Sequence, residues 1–392
     1  MTRDITPAGW PATGAVDEAF AEVRASFDRF CLAAGIEALG TMMEADVVAG
    51  RATIARRRGG RTLGRTRGRI GFHGGKIEVE RPRVRGVDGG EVTIPSWETA
   101  AQEDWLGRGA MNLMLINVRI YDVLKLRLRC QALIHGDETT VQVLKEKDKE
   151  ASSTSYMWAY CSGEDSEQPI VLFDYQPGRG QEHPQTFLGD YRGILMSDGY
   201  SAWRTLKGAT HIGCVAHARR RFVDALKARK KPGGLPAQAL KFFDQLYRIE
   251  RQVREEKPDD GETRANYRRR FRQQHSIPVL NTLKAWLEAI AAKVVPDTKL
   301  GDAVSYTLNQ WEYLTRYNED GEMPIHNNLL ERDIRIFACG RKNWLFSDTV
   351  DGASASAVVY SLVLTCRACS VEPFAWLRHV LTELPQRARP LR

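Results

Sequence analysis

Apolar residues recur at steps of three and four early in the chain, at Phe20, Val23, Phe27 and Phe30 and then at Ile36, Leu39 and Met43. That spacing predicts amphipathic helices between Asp17 and Met43. The pattern changes at Ile70-Gly-Phe-His-Gly-Gly-Lys-Ile-Glu-Val-Glu-Arg-Pro-Arg-Val, where two alternating runs flank His73-Gly74-Gly75 and predict a hairpin with Pro82 on an edge. A second regime opens near Gln131. Leu133 to Leu144, Tyr156 to Cys161, Ile170 to Phe173 and Ile194 to Met196 are short apolar or alternating segments between turn-rich or charged stretches, and read as strands. Helical patterns follow at Pro184 to Tyr191 and Ala216 to Lys230, so helices interleave after the first strands, as in a mixed α/β layer fold. Between about Gly234 and Tyr317 the strand signals vanish, while Leu283, Trp286, Leu287 and Ile290 repeat at helical spacing. After Pro324, Asn327-Asn328 is placed to cap a helix whose buried stripe is Leu330, Ile334 and Phe337 or Ala338. Helical patterns at Ala353 to Ala368 and Phe374 to Leu384 close the chain.

These patterns divide the 392 residues into a helical and basic region (1–118), a short linker (119–130), an α/β domain (131–233 with 318–350), an all-helical insertion (234–317) and a helical tail (351–392). Hydrophobic residues at 43% and charged residues at 27% exclude a mostly disordered chain. The longest nearly apolar run, Ala357 to Cys366, is roughly half the ~20 residues that span a bilayer. The N-terminus Met1-Thr-Arg-Asp-Ile-Thr lacks a hydrophobic signal core, so a cytoplasmic protein with no membrane partner is expected. Seven scattered cysteines, an odd number, argue against a disulfide framework. With 57 basic against 49 acidic side chains the net charge is +8, which favours a polyanionic partner. Much of the excess is local: Arg51, Arg56, Arg57, Arg58, Arg61, Arg65, Arg67, Arg69 and Lys76 occur with no acidic residue between them. Such a run predicts a flexible basic arm in which Arg56, Arg57, Arg58, Arg61 and Arg65 neutralise DNA phosphates, with a solvated loop as the plainer alternative.

Three acidic residues stand where a cation could gather them. Asp137 lies in Ile134-His-Gly-Asp-Glu-Thr-Thr-Val-Gln-Val-Leu and Asp198 in Gly193-Ile-Leu-Met-Ser-Asp-Gly-Tyr, each within or at the end of an expected strand. Glu331 falls in the first turn of the helix beginning in His326-Asn-Asn-Leu-Leu-Glu-Arg-Asp-Ile-Arg. Hard divalent cations prefer carboxylate oxygens, and a site with few protein ligands leaves positions open for phosphate and water. Two metals about 3.5–4 Å apart activate an attacking oxygen and stabilise a leaving one. Singly, each acid reads better as a cap, turn residue or surface charge. Glu138 and Asp333 stay as second choices, because strand register and helix phase are not fixed at this level. Cys214-x-x-His217 lacks the second half of a tetrahedral zinc site, and a buried Cys with a hydrogen-bonded His accounts for it as well. Cys366-x-x-Cys369 reads as core packing. Arg219, Arg220 and Arg221 follow His217, while Arg332, Arg335, Arg341 and Lys342 surround the Glu331 helix with Trp344 nearby. Together they can line a DNA channel in which Trp344 stacks on an unpaired base; a Glu331–Arg335 helical pair and a core Trp344 are the alternative.

From about Gln131 to Leu384 the chain strongly resembles transposases of the insertion sequence sixty-six family. The resemblance rests on Asp137-Glu-Thr-Thr-Val-Gln-Val-Leu, Tyr156-Met-Trp-Ala-Tyr, Gly178-Arg-Gly-Gln-Glu-His-Pro, Ser197-Asp-Gly-Tyr, Gly213-Cys-Val-Ala-His-Ala-Arg-Arg-Arg-Phe, Asn327-Asn-Leu-Leu-Glu-Arg and Gly340-Arg-Lys-Asn-Trp-Leu-Phe, in that order. It implies an RNase H-like catalytic domain and a DDE triad, which falls on Asp137, Asp198 and Glu331 as catalytic residues and metal ligands. It also implies two Mg²⁺ ions, with Mn²⁺ as a substitute. Cys214 and His217 would support the active site, like the Cys-x2-His signature that follows the second catalytic Asp in several transposase groups. The implied partners are double-stranded DNA at element ends and target, further copies of the chain assembled on DNA, and small accessory transposition proteins. The implied activity is strand cleavage at the element ends followed by strand transfer.

The front of the chain departs from that family, whose members carry a coiled-coil segment and a Cys-rich segment of zinc-binding type there. Thr6 to Val118 resembles instead the front of a mutator-type transposase, notably in Arg65-Thr-Arg-Gly-Arg-Ile-Gly-Phe-His-Gly-Gly-Lys and Leu106-Gly-Arg-Gly-Ala-Met-Asn-Leu-Met-Leu-Ile-Asn-Val. The chain therefore resembles a splice of two transposase types with a seam over 119–130. A catalytically inactive hybrid that only binds DNA or represses transposition is the alternative expectation, and a general metal-dependent nuclease a weaker one.

Overall fold

The computed structural model describes residues 36, 39–48, 61–72, 75–85, 91–92, 94–101, 119–229, 233–258 and 261–383. They form two compact units: residues up to Ile120 together with those from Ser370 onward, and Tyr121–Cys369. The expected helices before residue 36 and the candidates Arg56, Arg57 and Arg58 lie outside the described residues.

In the first unit, helix α1 (39–48) precedes strands β1 (Arg61–Phe72) and β2 (Gly75–Arg85), which pair antiparallel, and helix α2 (Pro95–Ala101) follows. From residue 61 onward the expected flexible arm is therefore a strand. The register sets Arg67 opposite Glu80 and Arg69 opposite Glu78. Arg69 pairs with Glu78 at 3.3 Å and Arg65 with Glu44 at 3.0 Å. The basic count within β1 is thus offset from across the hairpin and from α1, by acids that a local count leaves out. Strand alternation turns Ile70 to the other face, where it packs with Val79, Val84, Leu39, Met43, Ile94 and Ala100. Asp46 ties α1 to α2 by accepting the Ser96 N–H at 2.8 Å.

The second unit is built on a mixed sheet. Helix α3 (119–129) leads into β3 (Leu133–Lys145), β4 (Thr154–Ser162) and β5 (Val171–Gln176), followed by helix α4 (Glu182–Leu188), β6 (Ile194–Ser197) and β7 (Thr210–Gly213). The strand order is β5-β4-β3-β6-β7, with β3–β4 and β4–β5 antiparallel and β3–β6 and β6–β7 parallel. The far end of β3 also pairs with β8 (Ser347–Thr349). The four expected strands are present; β7 (Thr-His-Ile-Gly), which has one apolar residue, and β8, of three residues, carry no readable period.

Both faces of this sheet are buried. Ile134, Trp158, Tyr160, Leu172, Leu195 and Trp203 form a core on one side with Phe187 of α4. On the other, Val141, Val143, Ala159 and Phe173 pack against Leu330 and Phe337 of helix α10 (Asn328–Trp344) and Ala353, Ala357 and Leu364 of helix α11 (Val350–Ala368). The stripe on α10 runs through Phe337, which is fully buried, rather than Ala338. Strand β5 lies at the sheet edge, where unpaired backbone groups would be costly if buried. Its Phe173 N–H donates to Ser361 Oγ at 2.7 Å and its Val171 N–H to Thr365 Oγ1 at 3.0 Å. The Thr365 hydroxyl returns a bond to the Val171 carbonyl at 2.9 Å, and Tyr121 Oη donates to the Phe173 carbonyl at 2.8 Å.

Helix α5 (Val215–Lys227) follows β7 and packs through Phe222 on Phe243 of helix α6 (Leu235–Glu255), where the helical insertion begins. Helices α7 (Arg264–Ala291), α8 (Lys299–Asn309) and α9 (Trp311–Thr315) complete it. Its polar centre is Arg272, 1% exposed, which meets Glu250 through two 2.8 Å bonds and donates to the Tyr317 and Met323 carbonyls at 2.7 and 2.8 Å. Helix α12 (Pro373–Glu383) belongs to the first unit. Among the described residues no single helix is long and apolar enough to cross a membrane.

Gly136 on β3 leaves room for Trp203: a Cβ there would stand 2.6 Å from one indole carbon and 2.7 Å from another. Gly136→Ala is therefore expected to destabilise the chain by about 1–3 kcal/mol through overpacking. Urea unfolding should show a lower midpoint with unchanged slope.

Candidate active site

Strand pairing brings the two aspartates together. On parallel β3 and β6, Ile134 lies opposite Leu195 and His135 opposite Met196. Asp137 lies two residues further along β3 and Asp198 directly follows the end of β6, and the Asp137 carboxyl feels the Asp198 charge. Each is held locally. Asp137 Oδ1 accepts the Glu138 N–H and Asp198 Oδ1 the Tyr200 N–H, both at 2.8 Å.

Glu331 arrives on the first turn of α10, steered by Asn327. That residue stands at the helix N-cap as the sequence suggests, but its side chain makes no cap bond. Its amide reaches across to β3 instead. Oδ1 lies 2.7 Å from His135 Nδ1, and Nδ2 donates to the Gly136 carbonyl at 3.2 Å. Its backbone N–H donates to Cys214 Sγ at 3.2 Å, and its carbonyl accepts the Glu331 N–H at 3.1 Å. One buried residue thus joins the strand of Asp137, the start of α5 and the helix of Glu331. On α5, Arg220 Nη2 lies 2.7 Å from Glu331 Oε2 and His217 Nδ1 3.6 Å from Oε1.

The electrostatics follow from this crowding. Burial pushes the Asp137 carboxyl well above the usual carboxylate range, and the negative charges of Glu138, Asp198 and Glu331 push it further, against the opposing Glu138 N–H. Negative charge concentrated on oxygen donors is the kind that a hard divalent cation relieves. Glu138 and Asp333 are the neighbouring acids, and the Asp198 charge reaches Glu138 too. Glu138, next along β3 and so on its opposite face, has a side chain only 2% exposed; it accepts from Arg179 and, at 3.0 Å, from Trp203 Nε1. Asp333 is pushed up to about 6 by burial, with Arg332 and Arg367 opposing.

A set of arginines borders the carboxylates. Arg179 lies over Tyr200 and Arg204 over Tyr313, both at 3.8 Å, and Arg221 over Tyr306 at 4.0 Å. Arg179 and Arg204 feel the charge of Asp198, and Arg220 that of Asp137 and Glu331. Arg179 and Arg204 were not among the expected site residues. Arg179, within Gly178-Arg-Gly, carries a weak signal; Arg204, in a short 3₁₀ turn (Ser201–Thr205), carries none. The expected DNA contacts are scattered. Arg219 pairs with Asp244 at 3.0 Å, and Arg341 reaches the Thr139 and Thr140 hydroxyls of β3 at 3.1 and 2.9 Å. Arg332, Arg335 and Lys342 are exposed on α10, and Glu331 turns to Arg220 and His217 rather than to Arg335. Arg61 lies in β1 and Trp344 at the end of α10; their side chains fall outside the described residues.

Comparison with known proteins adds what geometry alone does not. The model of the family described as "Transposase IS66 family" matches residues 98–355, and that described as "IS66 C-terminal element" matches 361–391. The first match starts ahead of the expected seam at 119–130. The chain is similar to three uncharacterized proteins of Sinorhizobium fredii (strain NBRC 101917 / NGR234). To y4hP it is 29% identical over 307 residues, 73% of this chain and 53% of the relative. To y4jD it is 30% identical over 280 residues, 68% and 52%, and to y4qI 29% over 296 residues, 72% and 52%. The chain spans about half the length of the curated relatives it matches.

Two variants probe this arrangement. Asn327→Ala removes the amide bonds to His135 and Gly136 and is expected to cost about 1–3 kcal/mol in denaturant unfolding. Asp333 binds its proton more tightly folded than unfolded, so it disfavours the folded state progressively as pH rises from about 4 through about 6. Asp333→Asn should therefore match the native chain at the acid end of that window and melt at a higher temperature above it.

Proposed function

We propose a reaction for this chain, which belongs to the IS66 transposase family: metal-dependent strand cleavage at insertion-sequence ends, followed by transfer of the freed 3′-hydroxyl to target DNA. The observation that carries this reading is that the Asp137 carboxyl on β3 feels the charge of both Asp198, which follows β6, and Glu331 on the helix packed against the sheet. The strand order β5-β4-β3-β6-β7, with β3 central, supports reading the domain as RNase H-like.

In this reading Asp137, Asp198 and Glu331 hold a pair of Mg²⁺ ions, with Mn²⁺ as a substitute, and such ions supply a polarised phosphate and an activated attacking oxygen. The chain's own groups set the geometry. The Glu138 and Tyr200 N–H groups fix the two aspartates, and Arg220 orients Glu331. Arg179, Arg204 and Arg221, braced on tyrosine faces, present guanidinium groups to the DNA backbone. The exposed Arg332, Arg335 and Lys342 extend that basic surface along α10. Double-stranded DNA is the assigned substrate. Assembly of several copies on paired ends and help from small accessory proteins belong to the same proposal. A second reading, a chain that binds DNA or represses transposition without cutting, draws on the resemblance of residues 6–118 to a different transposase type.

With Mg²⁺ and DNA carrying the element's terminal repeats, the purified chain should nick or join strands. Asp137→Asn should lose this to background while still binding DNA. Equal activity in that variant would remove Asp137 from the reaction, and metal-independent binding with no cleavage of any terminal repeat would favour the second reading.

A further inference from the structure

Cys214 stands immediately ahead of α5, His217 lies in its first turn and Glu331 in the first turn of α10. The Cys214 Sγ, a His217 ring nitrogen and a Glu331 carboxylate oxygen all lie within 4.8 Å of one another. At 3.6 Å, His217 Nδ1 and Glu331 Oε1 are too far apart for a hydrogen bond, and both are buried atoms with no hydrogen-bond partner. Buried polar atoms facing each other across such a gap call for an explanation, and a bound ion is one that satisfies both. The sulfur faces the same space: the Asn327 N–H points at it from 3.2 Å, and the backbone N–H groups of Ala216 and His217 reach it at the helix start.

A sulfur, a nitrogen and an oxygen are the wrong donors for Mg²⁺, which demands oxygen, and the right ones for Zn²⁺, which accepts all three tetrahedrally and keeps a fourth position for water. We propose that Cys214, His217 and Glu331 form a second metal site, selective for a zinc-class ion, that shares Glu331 with the all-carboxylate set. Binding replaces the thiol proton, which passes to solvent, by the metal. The binding rests on this geometry alone. Its consequence, that zinc withdraws Glu331 from the catalytic cation and slows cleavage, rests on the function proposed above.

Co²⁺ serves as the spectroscopic probe. Added to the full chain, it should produce thiolate-to-cobalt charge-transfer absorption that saturates at one equivalent, is bleached by Zn²⁺ and persists in millimolar Mg²⁺. Cys214→Ser should abolish the band, and Asp137→Asn should keep it, separating this site from the carboxylate set. His217→Ala, a change at a half-buried position, should weaken Co²⁺ binding about tenfold or more, and covers the case in which Cys214→Ser does not fold. Absence of the band in the native chain, its survival in Cys214→Ser, or unchanged affinity in a folded His217→Ala would overturn the site. A band that behaves as expected while Zn²⁺ leaves Mg²⁺-dependent cleavage untouched would overturn only the shared role of Glu331.

Discussion

Asn327 is fully buried, and its polar groups are divided among three pieces of chain that the sequence keeps far apart: β3, the start of α5 and the first turn of α10. A buried amide must find partners for both its oxygen and its nitrogen, at a cost of about 1–3 kcal/mol for each group left unsatisfied. Here the partners are His135 and the Gly136 carbonyl, one residue from Asp137. Glu331 follows one helical turn after Asn327. Glu331 is therefore tied to the strand of Asp137 through a few covalent bonds and the two amide hydrogen bonds of Asn327, at 2.7 and 3.2 Å.

Around this clamp, charge is arranged to remain unspent. The carboxylates repel one another, and the nearby arginines do not all collapse onto them. Glu138 holds Arg179, and tyrosine faces hold Arg179, Arg204 and Arg221. An arginine braced on an aromatic ring has already lost much of its rotamer freedom, so meeting an anion would need little further ordering. Arg220 is the exception, since it already pairs with Glu331. That contact places one guanidinium where carboxylate and phosphate would compete for it.

Much of the scaffold could be read from local pattern. The alternation at Leu133 and the stripe Leu330, Ile334 and Phe337 each predict an element that is present. What resisted was non-local. The face that Asp137 or Glu138 takes depends on how β3 sits in the sheet, since one residue along a strand changes the face. Asn327 reads as a helix cap, and its true partners lie almost two hundred residues away. The run of arginines in β1 reads as a solvated arm because Glu78 and Glu80, which face it across the hairpin, come later in the sequence. Arg204 sits in a single 3₁₀ turn, and no periodicity announces a residue there.

The edge of the sheet at β5 carries a different implication. The outward backbone groups of Val171 and Phe173 are occupied by the hydroxyls of Ser361, Thr365 and Tyr121. A neighbouring molecule seeking to extend the sheet there would have to strip those hydroxyls away first. This border thus resists the strand-by-strand growth that turns crowded sheet proteins into fibres.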